Sequence, residues 1–101
     1  MFEYSNVNEY NENMKNSNQL ERHFKGLANH RRLDILFLIS KTPGLTLEKI
    51  SGILDCSFAT LSVHTQKLVQ AGLLEKKYIG RSVAHTLSPY GKKFLKFIRT
   101  L

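Results

Sequence analysis

Thr46-Leu47-Glu48-Lys49-Ile50-Ser51-Gly52-Ile53-Leu54, the turn Asp55-Cys56-Ser57, and the run from Phe58 to Gly72 decide how this chain folds. In the first segment Leu47, Ile50 and Leu54 recur at helical spacing behind Thr46, whose hydroxyl suits a helix start. Ser57 is a second capping hydroxyl, and the helix it opens is predicted to run to about Ala71. Gly72 closes that helix, because glycine tolerates the left-handed conformation found at helix ends. Leu61, Thr65, Leu68 and Gly72 fall on one side of it, predicted to be buried. Ala59, Val63, Gln66 and Gln70 fall on the other, flanked by Ser62 and Lys67.

The residues that follow give this pair of helices a context. Leu73 to Ile79 and Ser82 to Leu87 are strand-like runs around Gly80-Arg81, where glycine supplies the positive φ of a tight hairpin. Lys76, Lys77 and Arg81 make the hairpin basic. A short helix, a tight turn, a second helix and a basic hairpin are the order of a winged helix-turn-helix. In that arrangement the second helix enters the major groove and the wing meets phosphates or a neighbouring minor groove, here with Arg81. Small side chains let the backbone approach base edges; Gln and Ser donate and accept, and Ala or Val methyls suit a thymine methyl. Alone, such a helix is an ordinary amphipathic surface helix, and such a hairpin is a lysine-guarded edge. Their succession favours the DNA reading.

Bulk properties agree. A chain of 101 residues is expected to be one compact domain, without room for a large enzyme cleft. Its net charge is +7, and because residues 1–18 carry Glu3, Glu9 and Glu12 against Lys15, residues 19–101 carry +9. That balance favours a polyanionic partner, although a merely soluble surface gives the same sign. The single cysteine, Cys56, excludes an intrachain disulfide and is expected to plug the turn. No apolar run reaches the length of a membrane span and no signal-peptide pattern opens the chain, so a cytoplasmic location is expected.

The remaining segments frame this unit. Residues 1–18 contain six asparagines and read as a polar arm, with Val7, Tyr10 and Met14 at a spacing that becomes helical against a partner. Residues 19–101 form the winged-helix domain. A helix from Gln19 carries Leu20, Phe24 and Leu27 on one face and stops near Asn29, which caps the next helix, about His30 to Lys41. That helix is apolar around most of its circumference and is expected to be buried on most sides. Thr42-Pro43-Gly44 ends it. Ser88-Pro89 starts a last helix, with Tyr90, Phe94, Phe97, Ile98 and Leu101 lining one face. This aromatic stripe exceeds what one small core covers, so the first and last helices are expected to pair with those of a second subunit. The alternatives are packing within the monomer and a basic membrane-surface helix.

These residues also resemble a known family. Leu27-Ala28-Asn29-His30-Arg31-Arg32-Leu33-Asp34-Ile35-Leu36 is similar to the "LANPTRLRIL" segment of ArsR-type winged-helix repressors, departing at His30, Arg31 and Asp34. Ser57, Thr60, Ser62 and His64 match their "SQSTVSRH" pattern, and Leu73-Leu74, Gly80-Arg81 and Val83 continue it into the wing. Ser88-Pro89-Tyr90-Gly91 resembles the "T-P-x-G" junction of MarR-type relatives. The resemblance implies a homodimer on an inverted-repeat operator, usually a repressor. It places bases or phosphates near Phe58, Ala59, Ser62 and Val63, with support from Thr60 and Gln66. Phe58 and Val63 replace polar residues of the pattern, which leaves apolar or shape readout at those positions.

Many ArsR-type proteins sense metals, but the residues of those sites are missing: His23, His30, His64 and His85 form no close pair, and the last helix lacks His, Asp and Glu. No metal and no cofactor are expected, and His23 is expected to be a satisfied surface histidine. No nucleophile, base and oxyanion-hole set or glycine-rich phosphate loop can be assembled, so an enzyme is not expected. Double-stranded DNA is the expected partner of a sequence-specific regulator. An architectural DNA-binding protein and a protein-docking winged helix are the other readings.

Overall fold

A computed structural model of the chain describes residues 14–101. Val7 and Tyr10 of the arm's apolar stripe lie outside the described residues. The first helix, α1 (Ser17–Leu27), begins two residues before the expected Gln19. The reason is a capping box: Asn16 Oδ1 accepts the Gln19 N–H and Gln19 Oε1 accepts the Asn16 N–H, both at 2.9 Å. Helix α2 (His30–Lys41) starts at the expected cap, with Asn29 Oδ1 accepting the Arg31 and Arg32 N–H groups. Ile35, Leu36 and Ile39 are buried, but Leu33 and Leu38 are only half-buried and Phe37 turns outward. The apolar circumference of α2 therefore overstates its burial.

The hairpin belongs to a larger sheet than expected. Strands β2 (Leu74–Ile79) and β3 (Ser82–Leu87) pair antiparallel, and β1 (Leu45–Thr46) adds to the far side of β3 in the order β1-β3-β2. A two-residue strand has no periodicity to reveal it; its pairing of Leu45 with His85 and Thr46 with Ala84 is a long-range event. At the hairpin tip Gly80 has φ +61 while Arg81 does not enter the left-handed region, the pattern of a type II′ turn.

Helix α3 (Leu47–Leu54) is capped by Thr46 and helix α4 (Phe58–Gln70) by Ser57, as the sequence predicts. Between them Cys56 is half-buried against the core, consistent with the expected plug. The core gathers Ile35, Leu36, Ile39, Ile50, Leu61, Leu68 and Leu73, each fully buried. Helix α5 (Pro89–Ile98) starts on the Ser88 cap and stops before Leu101. Its expected stripe splits: Phe94 and Ile98 pack partly against the core, whereas Phe97 and Leu101 face outward. Leu95, outside the expected stripe, is the buried one.

Two glycines permit the closest approaches. A Cβ on Gly26 would overlap Ala71, the C-cap of α4, and a Cβ on Gly91 would overlap the Leu73 carbonyl oxygen. The glycine of the Ser88-Pro89-Tyr90-Gly91 junction thus lets the start of α5 lie against the Leu73 backbone, between α4 and β2. Gly91→Ala should destabilise the domain by about 1–3 kcal/mol through overpacking, read as a lower urea midpoint at unchanged slope. An unaltered midpoint would show that this contact relaxes freely.

Candidate nucleic-acid interface

Helix α4 separates its two sides as expected. Leu61, Thr65 and Leu68 are buried at 2% exposure or less, and the Thr65 hydroxyl is satisfied internally by the Leu61 and Ser62 carbonyls. On the other side Phe58, Ala59, Thr60, Val63, Gln66, Lys67 and Gln70 are exposed, with Ser62 half-buried beside them. Phe58 and Val63, at 51% and 50%, leave apolar surface bare along the N-terminal half of α4. At the helix start Ser57 Oγ accepts the Thr60 N–H at 3.2 Å and donates to Thr60 Oγ1 at 2.8 Å. Those two hydroxyls are thereby tied together, so Thr60 orders the first turn as well as facing solvent.

On the wing Lys76, Lys77 and Arg81 are exposed, as are Tyr78 and Ile79, which sequence reasoning did not single out. Another missed residue is Arg32. Its guanidinium donates to the Lys25 and Gly26 carbonyls at 3.2 and 3.1 Å, capping the end of α1, and its Nε donates to His64 Nδ1 at 3.3 Å. It joins α1, α2 and α4 at one point. With Arg22, Lys25, Lys67 and Gln70 it lines a shallow cationic cleft beside α4. The resemblance to the "LANPTRLRIL" segment already contained Arg32, but only the fold reveals the carbonyls it serves.

His64 is held below its ordinary pKa, first by burial and then by the positive charges of Arg32, Lys67, Arg31 and His30. His85 is also held low, mainly by burial. His23 corrects the sequence expectation: it is 2% exposed rather than on the surface. Its Nδ1 donates to the Ala71 carbonyl, its ring lies 5.2 and 5.7 Å from those of Tyr90 and Phe94, and its Nε2 has no partner. Among the described residues no three His, Cys, Asp or Glu side chains gather in one cluster.

The residues expected to pair subunits are partly brought together. Phe24 meets Phe94 edge-on at 5.2 Å. Phe24, Leu27, Phe97, Ile98 and Leu101 border one apolar depression, which Leu33 and Phe37 of α2 complete. Leu20 is half-buried, Tyr90 is exposed, and Leu27 is largely committed to the protein's own core.

A model described as the MarR family matches residues 28–78, from the end of α1 into the wing. The chain belongs to the MarR family. Its fold is that of the winged helix-turn-helix regulators of MarR and ArsR type, as the motifs suggested. HlyU from Vibrio cholerae is 30% identical, with 85% of this chain and 94% of that one covered at a TM-score of 0.76. The homodimeric winged helix-turn-helix DNA-binding domain of Mb0332 from Mycobacterium bovis, described as a possible ArsR-family transcriptional regulator, is 26% identical, covering 82% and 77% at a TM-score of 0.76. A MarR protein from Peptoclostridium difficile, 24% identical, shares the fold over 82% of this chain and 56% of its own, at a TM-score of 0.69. No curated protein matches the chain.

This winged helix makes a specific electrostatic prediction. Because the folded domain disfavours the charged His64 and His85 rings, their contribution is complete above the ordinary imidazole pKa. It is lost as pH falls below that value, where the unfolded chain binds more protons. Replacing Arg32 with Gln removes one of the charges on His64 and should raise the ring's titration midpoint, measured by NMR of its ring protons. A midpoint that does not move would remove Arg32 as a cause.

Proposed function

We propose that this winged helix is a sequence-specific, double-stranded DNA-binding transcriptional regulator, a repressor acting as a homodimer on an inverted repeat. The observation that carries the reading is the division of α4: its Leu61, Thr65 and Leu68 side is spent on the core, while the Ala59, Val63, Gln66 and Gln70 side is left to solvent. Nothing in the packing of one domain requires that second side, and its small and polar residues suit base edges. In a symmetric dimer the two helices would address half-sites about 34 Å, or one helical turn, apart. Lys67, Lys77 and Arg81 supply phosphate contacts in this reading, and Ser57, Thr60 and Lys76 flank them. No metal, cofactor or catalytic step is assigned. No helix of the described residues is long and apolar enough to cross a membrane, which is compatible with a cytoplasmic site of action.

Support for the homodimer comes from the depression edged by Phe24, Phe97 and Leu101, whose apolar residues one copy leaves open. A second reading, architectural binding with little base preference, is favoured by one observation. Phe58 and Val63 present apolar surface where hydrogen-bonding side chains would read bases.

Selection of bound fragments from a random duplex pool at two salt concentrations separates the two. A regulator enriches a palindromic sequence, whereas an architectural protein enriches none. With the selected duplex, Arg81→Ala should weaken binding to every sequence and flatten the salt dependence by about one unit. Gln66→Ala should mainly relax base preference, by about 1–3 kcal/mol at one position. An unchanged salt slope for Arg81→Ala would reject the wing contact. In sedimentation velocity the unaltered chain should run as a dimer at micromolar concentration and Phe97→Glu as a monomer. A monomeric unaltered chain would remove the dimer.

A further inference from the structure

The wing carries two large apolar side chains for which the fold has no use. Tyr78 is 72% exposed and Ile79 60%. Both lie on β2, an edge strand of the sheet. Their cross-strand partners are Val83 and Ser82, and as successive strand residues they project from opposite faces of the ribbon, next to the Gly80-Arg81 tip. Exposed apolar edge strands invite aggregation and are ordinarily covered. Charge indicates what covers this one: Lys76, Lys77 and Arg81 surround the pair, all exposed, and Glu75 is the one acid on the two strands. That combination fits a polyanion whose phosphates lie at the rim of a less polar groove.

We propose that the wing is a wedge: Tyr78 and Ile79 enter the minor groove beside the half-site, one against each wall, and force it open, so that the protein bends the duplex it binds. The proposal rests on the DNA-binding reading above and adds to it a deformation of the duplex, assigned to two side chains. A B-form minor groove is about 6 Å wide. A ribbon with side chains on both faces is thicker than that, since sheets bearing their side chains stack about 10 Å apart. Entry therefore requires widening and partial unstacking, the change that apolar wedges produce in bent duplexes. It is easiest at the flexible TA and CA/TG steps, which become preferred positions although no hydrogen bond reads them.

The test uses the full chain and the duplex recovered by selection, with dyes at its ends and 2-aminopurine at the step flanking each half-site. Binding by the unaltered chain should shorten the end-to-end distance and raise the 2-aminopurine fluorescence. Replacing a flanking TA step by an A-tract should weaken binding roughly three- to tenfold. The double variant Tyr78→Ser, Ile79→Ser changes only exposed positions. It should keep its circular dichroism and its salt slope, yet lose the bend, the fluorescence rise and the flanking preference. Binding without a bend, or an equal bend by the double variant, overturns the wedge and leaves DNA binding standing. Absence of binding to any duplex overturns both. A changed sedimentation coefficient of the free double variant would assign the pair to a contact between copies and likewise overturn the wedge.

Discussion

The carbonyl oxygens of Ala71, Gly72 and Leu73 accept hydrogen bonds from His23 Nδ1, Ser88 Oγ and the Ser88 N–H. These are carbonyls of the turn that leaves α4 at its Ala71 cap, outside any helix or strand ladder, so they need partners from elsewhere. They find them on α1 and at the start of α5, so one buried junction fixes the end of α4 against both helices of the proposed subunit contact. Gly26 and Gly91 make the junction possible by leaving no Cβ between the chains. Removing a partner from such a buried group costs about 1–3 kcal/mol, a large share of a small domain's stability. In the proposed dimer, this junction would couple the subunit contact to the spacing of the two copies of α4.

Electrostatics contributes differently. Among the described residues one salt bridge forms, Glu21 with Lys25 at 2.9 Å, and it is exposed. Pairs of that kind add little to stability, so the hydrophobic core and the capped helix ends hold the domain together. The excess of cations is not consumed within the fold. Arg32 spends its donors on the α1 carbonyls and His64, but Lys67, Lys76, Lys77 and Arg81 project outward. His64 is held below its ordinary pKa first by burial, and the charges of Arg32 and Lys67 add to that effect.

The helices and their starts were legible in the sequence because their determinants are local. Asn29, Thr46, Ser57 and Ser88 each cap the helix that follows them, and the alternation of sides along α4 is a matter of spacing alone. The Asn16–Gln19 capping box was also written in the sequence, but the asparagine-rich composition around it concealed a sound helix start. What escaped sequence reasoning depends on distant partners. β1 exists only because β3 returns beside it; His23 is buried only because Gly72, Tyr90 and Phe94 close around it. The outward face of α4 was foreseeable from the sequence, whereas Arg32, Tyr78 and Ile79 acquire their interest from where the fold puts them.

In an amide chemical-shift titration of the isotope-labelled chain with the selected duplex, perturbations should concentrate on residues 57–70 and 76–83, while α1 and α5 change little. Perturbations concentrated on the Phe24, Phe97 and Leu101 face, with α4 and the wing unmoved, would contradict the proposed interface.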